Sequence, residues 1–171
     1  MTKKVTLLAA AVLFLTAFSA SAQTGRWTAL GSTGSVDPDS PAWDVIGDTG
    51  LGFDPAGGSS AGTIIAYYNV TNTWGGGSDD SPAWTRLEVG ARNTSVFDTV
   101  TGRLYEVDPC TGAWTQICSV VNDTAGSSGV CEQCTFASTS VDFGQNLYLV
   151  KVEITRTAGT GNPILTTLRI W

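Results

Sequence analysis

The 171-residue chain contains no histidine. That absence removes Ser-His-Asp and Cys-His catalysis, along with the commonest transition-metal ligand. Positive charge is nearly as scarce, with 9 Lys and Arg against 15 Asp and Glu and a net charge of −6. Without Lys3 and Lys4 at the N-terminus, 7 basic residues face 15 acidic ones, a net charge of −8, and Lys151 is the only lysine left. Such a chain, with no basic cluster, is a poor partner for nucleic acid or anionic lipid. Its acidity reads as a solubility device. After residue 22 no segment approaches the ~20 consecutive apolar residues of a membrane-spanning helix. Helical periodicity is missing as well, which leaves strands and turns.

The first 22 residues have the form of an export signal. Lys3 and Lys4 give a basic start, Val5 to Phe18 an apolar centre, and Ala20-Ser21-Ala22 a small-residue cleavage site. The residue directly after the cut is Gln23, not Cys, so a lipid-anchored product is not expected. Gln23 would then open a mature chain of 171 − 22 = 149 residues, enough for one domain with its own core. The expected destination is the periplasm or the exterior.

The clearest organisation lies at the C-terminal end. From Tyr148 to Thr155 apolar and polar residues alternate, and after a loop with Gly161-Asn162-Pro163 a second apolar-rich run extends from Ile164 to Trp171. The pattern predicts a closing hairpin whose apolar face other strands must cover. Upstream, strands are expected at Arg26 to Leu30, Thr63 to Thr71, Trp84 to Ala91, Ser95 to Thr99, Arg103 to Asp108, Ala113 to Val121 and Val130 to Ser140. Thr63 to Thr71 is apolar on both faces, which places it centrally in a sheet with both sides covered. Residues 31–62 are rich in Gly, Ser, Asp and Pro, and only Trp43 to Ile46 and Leu51 to Phe53 anchor them. The whole describes an all-β chain: one antiparallel β-sandwich over 23–171, with jelly-roll and immunoglobulin-like orders both compatible. An outer-membrane barrel is disfavoured because Arg169 and Thr167 share the phase of Trp171.

Cys110, Cys118, Cys131 and Cys134 are the only cysteines. An even count in an exported chain favours disulfides. Cys110 falls in a turn, several extended residues from Cys118, so the favoured pairing is Cys118–Cys131 with Cys110–Cys134, each bridge worth about 3 kcal/mol. The spacing of Cys131 and Cys134 is that of a redox motif, but the βαβ setting is lacking. A four-Cys zinc site would need a second close pair.

Chemistry is thinly signposted. Glu88 and Glu153 occupy outward strand positions, while Glu106 and Asp108 are the pair through which a carboxylate hydrolase would act. Asp37, Asp39, Asp44 and Asp48, and separately Asp79 and Asp80, lie in oxygen-rich loops without a calcium-loop spacing. Asn69, Asn93 and Asn122 head N-glycosylation acceptor triplets. Asp39-Ser40-Pro41-Ala42-Trp43 recurs as Asp80-Ser81-Pro82-Ala83-Trp84, a turn-to-strand device repeated without a repeated domain. Of the 6 tryptophans, Trp43, Trp74 and Trp84 border loops and are the candidates for stacking on sugar rings.

From Val141 onward the chain resembles the C-terminal region of uncharacterised secreted bacterial β-sandwich proteins, through Asp142-Phe143, Asn146, Tyr148, the alternating Val150, Val152 and Ile154, and Gly161-Asn162-Pro163. Tyr67-Tyr68-Asn69-Val70-Thr71 adds a weaker echo. The resemblance implies no activity and carries no site residue. The expectation is an exported, non-catalytic structural or interaction protein that needs no cofactor or metal, with other surface proteins or polysaccharide as partners. The alternatives are a carbohydrate-binding module using loop tryptophans and, after it, a carboxylate-based hydrolase. Intact mass of the exported protein tests the leader: a chain starting at Gln23 is expected, and a product that retains Lys3 and Lys4 would refute it.

Overall fold

A computed structural model describes residues 25–41, 43–54, 60–72, 81–126, 128–157 and 161–171. The expected export signal, Trp74 and the Asp79–Asp80 pair lie outside the described residues. The strands are β1 (Trp27–Leu30), β2 (Ser35–Val36), β3 (Trp43–Ile46), β4 (Gly50–Phe53), β5 (Gly62–Val70), β6 (Arg86–Arg92), β7 (Thr99–Val107), β8 (Trp114–Asn122), β9 (Val130–Thr135), β10 (Leu147–Arg156) and β11 (Ile164–Ile170). A short 3-10 turn, Gly31–Thr33, follows β1.

They form two antiparallel sheets. One is ordered β3-β4-β11-β6-β9, with β1 also paired to β11, and the other β2-β5-β10-β7-β8. Counting from β4 to β11, the first sheet holds the first, eighth, third and sixth strands and the second the second, seventh, fourth and fifth. That is the jelly-roll order.

Alternation builds the core. Ile64, Ala66, Tyr68 and Val70 of β5 and Tyr148, Val150, Val152 and Ile154 of β10 face inward from one sheet. Leu87, Val89 and Ala91 of β6 and Leu168 and Ile170 of β11 meet them from the other. Each fully buried aliphatic side chain stabilises by roughly 1.5–3 kcal/mol relative to exposure. In β11, Leu165 is buried as well as Leu168 and Ile170, although strict alternation would turn it outward. A register shift between Leu165 and Thr167 resets the phase. At one end of the core, Trp84, Phe143 and Tyr148 stack edge to face.

Several expectations are corrected. The C-terminal arms do not form a hairpin: β10 pairs with β5 and β7, while β11 pairs with β1, β4 and β6 in the opposite sheet. Both arms carry an apolar face, and each contributes it to the shared core from its own sheet. Ser95 to Phe97 is a bend and turn that precedes β7, and β9 ends at Thr135 rather than continuing to Ser140. One face of β5 meets the core, whereas Ile65 and Tyr67 on the other are only partly covered.

The cysteine pairing is corrected too. Cys118 bonds Cys134, 16 residues on, and ties β8 of one sheet to β9 of the other. Cys110 and Cys131 are free and exposed, so neither Cys118–Cys131 nor Cys110–Cys134 forms. The cause is strand parity: residues three apart on a strand face opposite ways. Cys134 lies opposite the buried Leu87, and Cys131 opposite Gly90 on the outer face. There, burial first and the Glu88 carboxylate second push the Cys131 thiol up.

Peptide mapping without reductant is expected to link Cys118 to Cys134, with alkylation of Cys110 and Cys131 in the folded protein. Replacing both bridged cysteines by alanine should cost about 3 kcal/mol of stability. A bridge containing Cys131 would disprove this pairing.

Candidate functional site

The outer face of the β2-β5-β10-β7-β8 sheet carries what the core does not use. Tyr67 of β5, Lys151 of β10, Arg103 of β7 and Ser119 of β8 stand side by side in one row across the strands. In the neighbouring row, Asn69, Leu149, Tyr105 and Gln116 do the same. Trp114 stands beyond them, opposite Val107.

Trp114 reaches this face through a β-bulge. Cys118, Val120 and Asn122 are buried, and the even-numbered Gln116 and Trp114 would follow them inward on a regular strand. The register shifts, however: Leu104 pairs with Cys118, and the next residue, Tyr105, pairs with Gln116, which leaves Ile117 as the extra residue. Beyond that point the phase is reversed and Trp114 points outward.

The turn before it is well specified. The Asp108 Oδ1 atom accepts the N–H groups of Cys110 (2.7 Å) and Thr111 (2.9 Å), and Gly112 takes the positive φ of 70° that closes the turn. The N–H groups of Thr111 and then Cys110 hold the Asp108 carboxyl below the usual carboxylate range. Asp108 is thereby a turn-former. Glu106 lies across from Tyr148 and Thr115 on its strand.

Three aromatic rings thus gather on one surface. The Trp114 ring lies 5.4 Å from Tyr105 and 6.2 Å from Tyr67, centroid to centroid, and Trp114 remains 49% exposed. Beside them is an ion-pair network. Arg103 Nη1 lies 2.6 Å from Glu153 Oε2, and Lys151 Nζ lies 2.9 Å from Glu153 Oε1. Burial raises the Glu153 carboxyl pKa, but hydrogen bonds from Arg103 and Lys151 and their charges outweigh it and hold the group below its ordinary range. The hydrogen bond to Glu153 pushes the Lys151 ammonium up, against a smaller opposing effect of burial. Glu153 and Lys151 are thus each pushed towards the charged form. A cleft of about 360 Å³ adjoins the face, lined by Trp27, Thr28, Leu30 and Ser35 and sharing Tyr67 with it.

The tryptophans singled out from sequence do not assemble. Trp84 is fully buried just ahead of β6, its indole N–H donating to the Gly25 carbonyl and its ring packed edge-on against Phe143. It therefore offers no ring face to a ligand. Trp43 is 45% exposed on β3, an edge strand of the other sheet, and Trp74 lies outside the described residues. Proximity to Asp and Asn in loops points to Trp43, Trp74 and Trp84 and leaves out Tyr67, Tyr105 and Trp114. The outward phase of Tyr67 and Tyr105 is visible in the alternation; that of Trp114 is not.

The remaining candidates are placed plainly. Glu88 pairs with Arg169 at 2.9 Å, without an N–H aimed at the oxygen. The Asp37 carboxylate accepts the Asp39 N–H in a turn, and the Asp44 carboxylate, within β3, accepts the N–H of Val45. Among the described residues no three His, Cys, Asp or Glu converge on a point that would hold a metal. Asn93 and Asn122 are fully buried and Asn69 is exposed.

No protein-family model matches the chain, and no curated protein matches it in sequence. Among solved structures, the CBM36-1 domain of a multidomain xylanase from the hindgut metagenome of Trinervitermes trinervoides superposes with a TM-score of 0.51 at 7% identity, over 86% of this chain and 97% of that one. A carbohydrate-binding module CBM36 in complex with calcium and xylotriose gives 0.48 at 10% identity, over 85% and 99%. The xylan-binding module CBM15 gives 0.44 at 12%, over 85% and 95%. With the first of these, the shared feature is the β-sandwich fold.

The ion-pair network predicts a pH dependence. Because the folded-state pKa of Glu153 is depressed, its contribution is fully present above the unfolded carboxylate value of ~4.3 and disappears as pH falls below it. Glu153→Gln should melt below wild type at pH 7, and the gap should close under acid. A gap independent of pH would refute the assignment.

Proposed function

We propose that the protein is an exported, non-catalytic carbohydrate-binding module that takes sugar chains on the outer face of the β2-β5-β10-β7-β8 sheet. The observation that carries this reading is the gathering of Tyr67, Tyr105 and Trp114, from three strands, on one solvent-facing surface. Aromatic side chains combine an apolar face with a polar tip, and a pyranose ring does the same with its C–H face and hydroxyls. Arg103, Lys151, Ser119 and Gln116 beside the rings supply polar contacts that fix orientation. A rigid sheet holds these groups without further ordering, which lowers the entropy cost of binding.

The termite-gut xylanase domain shares this architecture and is named a carbohydrate-binding module, so the fold is one on which such sites occur. That analogy supports the reading and does not locate the site. The Cys118–Cys134 bridge fits an oxidising compartment, and among the described residues no helix is long and apolar enough to cross a membrane.

A second reading, as a structural protein of the cell surface or matrix, draws on β8. This nine-residue strand ends its sheet, carries no charged residue, and exposes half of Val121. Uncharged edges of this length are surfaces for strand addition.

Intrinsic tryptophan fluorescence, titrated with a panel of plant and bacterial polysaccharides, separates the two readings. Binding is expected to quench emission, and Trp114→Ala should weaken it by about 10- to 100-fold, as loss of a central aromatic contact does. Trp43→Ala should leave it unchanged. No response to any polysaccharide, with a ladder of oligomers in light scattering, would reject the sugar reading in favour of the structural one.

A further inference from the structure

The chemistry of the row beside the rings narrows the ligand class, on the premise that this face binds sugar. Glu153 is the carboxylate nearest the row, and both of its oxygens are occupied, one by Arg103 and one by Lys151. Its capacity to accept hydrogen bonds from a ligand is therefore largely spent. A guanidinium fork and an ammonium together carry more N–H groups than one carboxylate can receive. Among the described residues no other acceptor engages Arg103 or Lys151. Outward from the sheet, this part of the face offers donors.

Charge points the same way. Two cations and one anion leave the cluster at +1, within a chain whose formal charge is −6. The three side chains are only 23–27% exposed, so water screens them less than it would free surface charges. A neutral sugar hydroxyl both donates and accepts, and here its donor would find Glu153 already engaged. A carboxylate only accepts, and its planar pair of oxygens suits a guanidinium edge. Lys151 lies directly between Tyr67 and Arg103 in register, so an acid on one sugar and a ring stacked on the next fall within neighbouring positions of the same row.

We infer that the face selects polysaccharides bearing uronic acids, with the sugar carboxylate seated on the outward N–H groups of Lys151 and Arg103 while the aromatic trio takes the adjoining ring. Lys151, the only lysine beyond the N-terminal pair, is the specificity-determining residue.

The test is calorimetric titration of the whole protein with tetragalacturonate and tetraglucuronate, each alongside its carboxyl-reduced neutral form and a sulfated neutral tetrasaccharide. At least one uronate is expected to bind about tenfold more tightly than its reduced form, in line with the loss of one charge-assisted hydrogen bond. That advantage should shrink as salt is raised and vanish in Lys151→Met, which keeps the Arg103–Glu153 pair. Equal or tighter binding of the neutral form would overturn the inference and leave carbohydrate binding intact, whereas no binding of any oligosaccharide would overturn both. A sulfated chain bound as well as the uronate would show selection by sign alone and refute carboxylate recognition. A preference that survives in Lys151→Met would also refute it. The wild-type comparison stands whether or not the variant folds.

Discussion

One interior has to accept every second side chain from strands of both sheets, and that constraint governs this protein. The inward positions of β5 and β10 are filled from one side and those of β6 and β11 from the other, and among the described residues no α-helix covers anything else. Each strand therefore has one face committed and one face free. On the committed face, substitution is limited by packing. On the free face, side chains are available for work.

Places where the alternation breaks have the largest consequences. In β11 the shift near Thr166 lets Leu165 join Leu168 and Ile170 in the core. In β8 the extra Ile117 does the reverse: Cys118 stays inside to meet Cys134, and Trp114 goes outside to meet Tyr105. A single inserted residue thus separates the half of β8 that holds the sheets together from the half that builds the aromatic surface. Bulges re-aim side chains in this way wherever a strand serves two purposes.

The electrostatics of the free face follow from its position in mid-sheet. Arg103, Lys151 and Glu153 come from adjacent strands, so backbone pairing has already paid for most of their alignment. Their mutual hydrogen bonds and opposite charges outweigh the opposing effect of burial and push both the acid and the base further towards their ionised forms. The site is preorganised by the ladder of hydrogen bonds beneath it, in contrast to one assembled from loops.

Period-two alternation, turn residues and the absence of helical patterning determine an all-β sandwich from sequence alone, because burial of one face is a local property of each strand. The strands within Thr63 to Thr71, Trp84 to Ala91 and Tyr148 to Thr155 were legible for that reason, β6 starting only at Arg86, and so was the outward direction of Glu88, Lys151 and Glu153. Strand pairing is not local. Whether β10 pairs with β11 or crosses to the other sheet depends on which strands compete for each edge, and the jelly-roll order decided that. The opposite faces of Cys131 and Cys134 were readable in their spacing, yet the identity of the inward one required the register against Leu87 and Gly90. Trp114 was beyond reach, since a bulge leaves no residue type as its mark and shows only when Tyr105 and Gln116 are seen to pair. The sequence by itself determined that a β-sandwich would form; only the tertiary structure decided which aromatic rings would share its open face, because that depends on register between strands far apart in the chain.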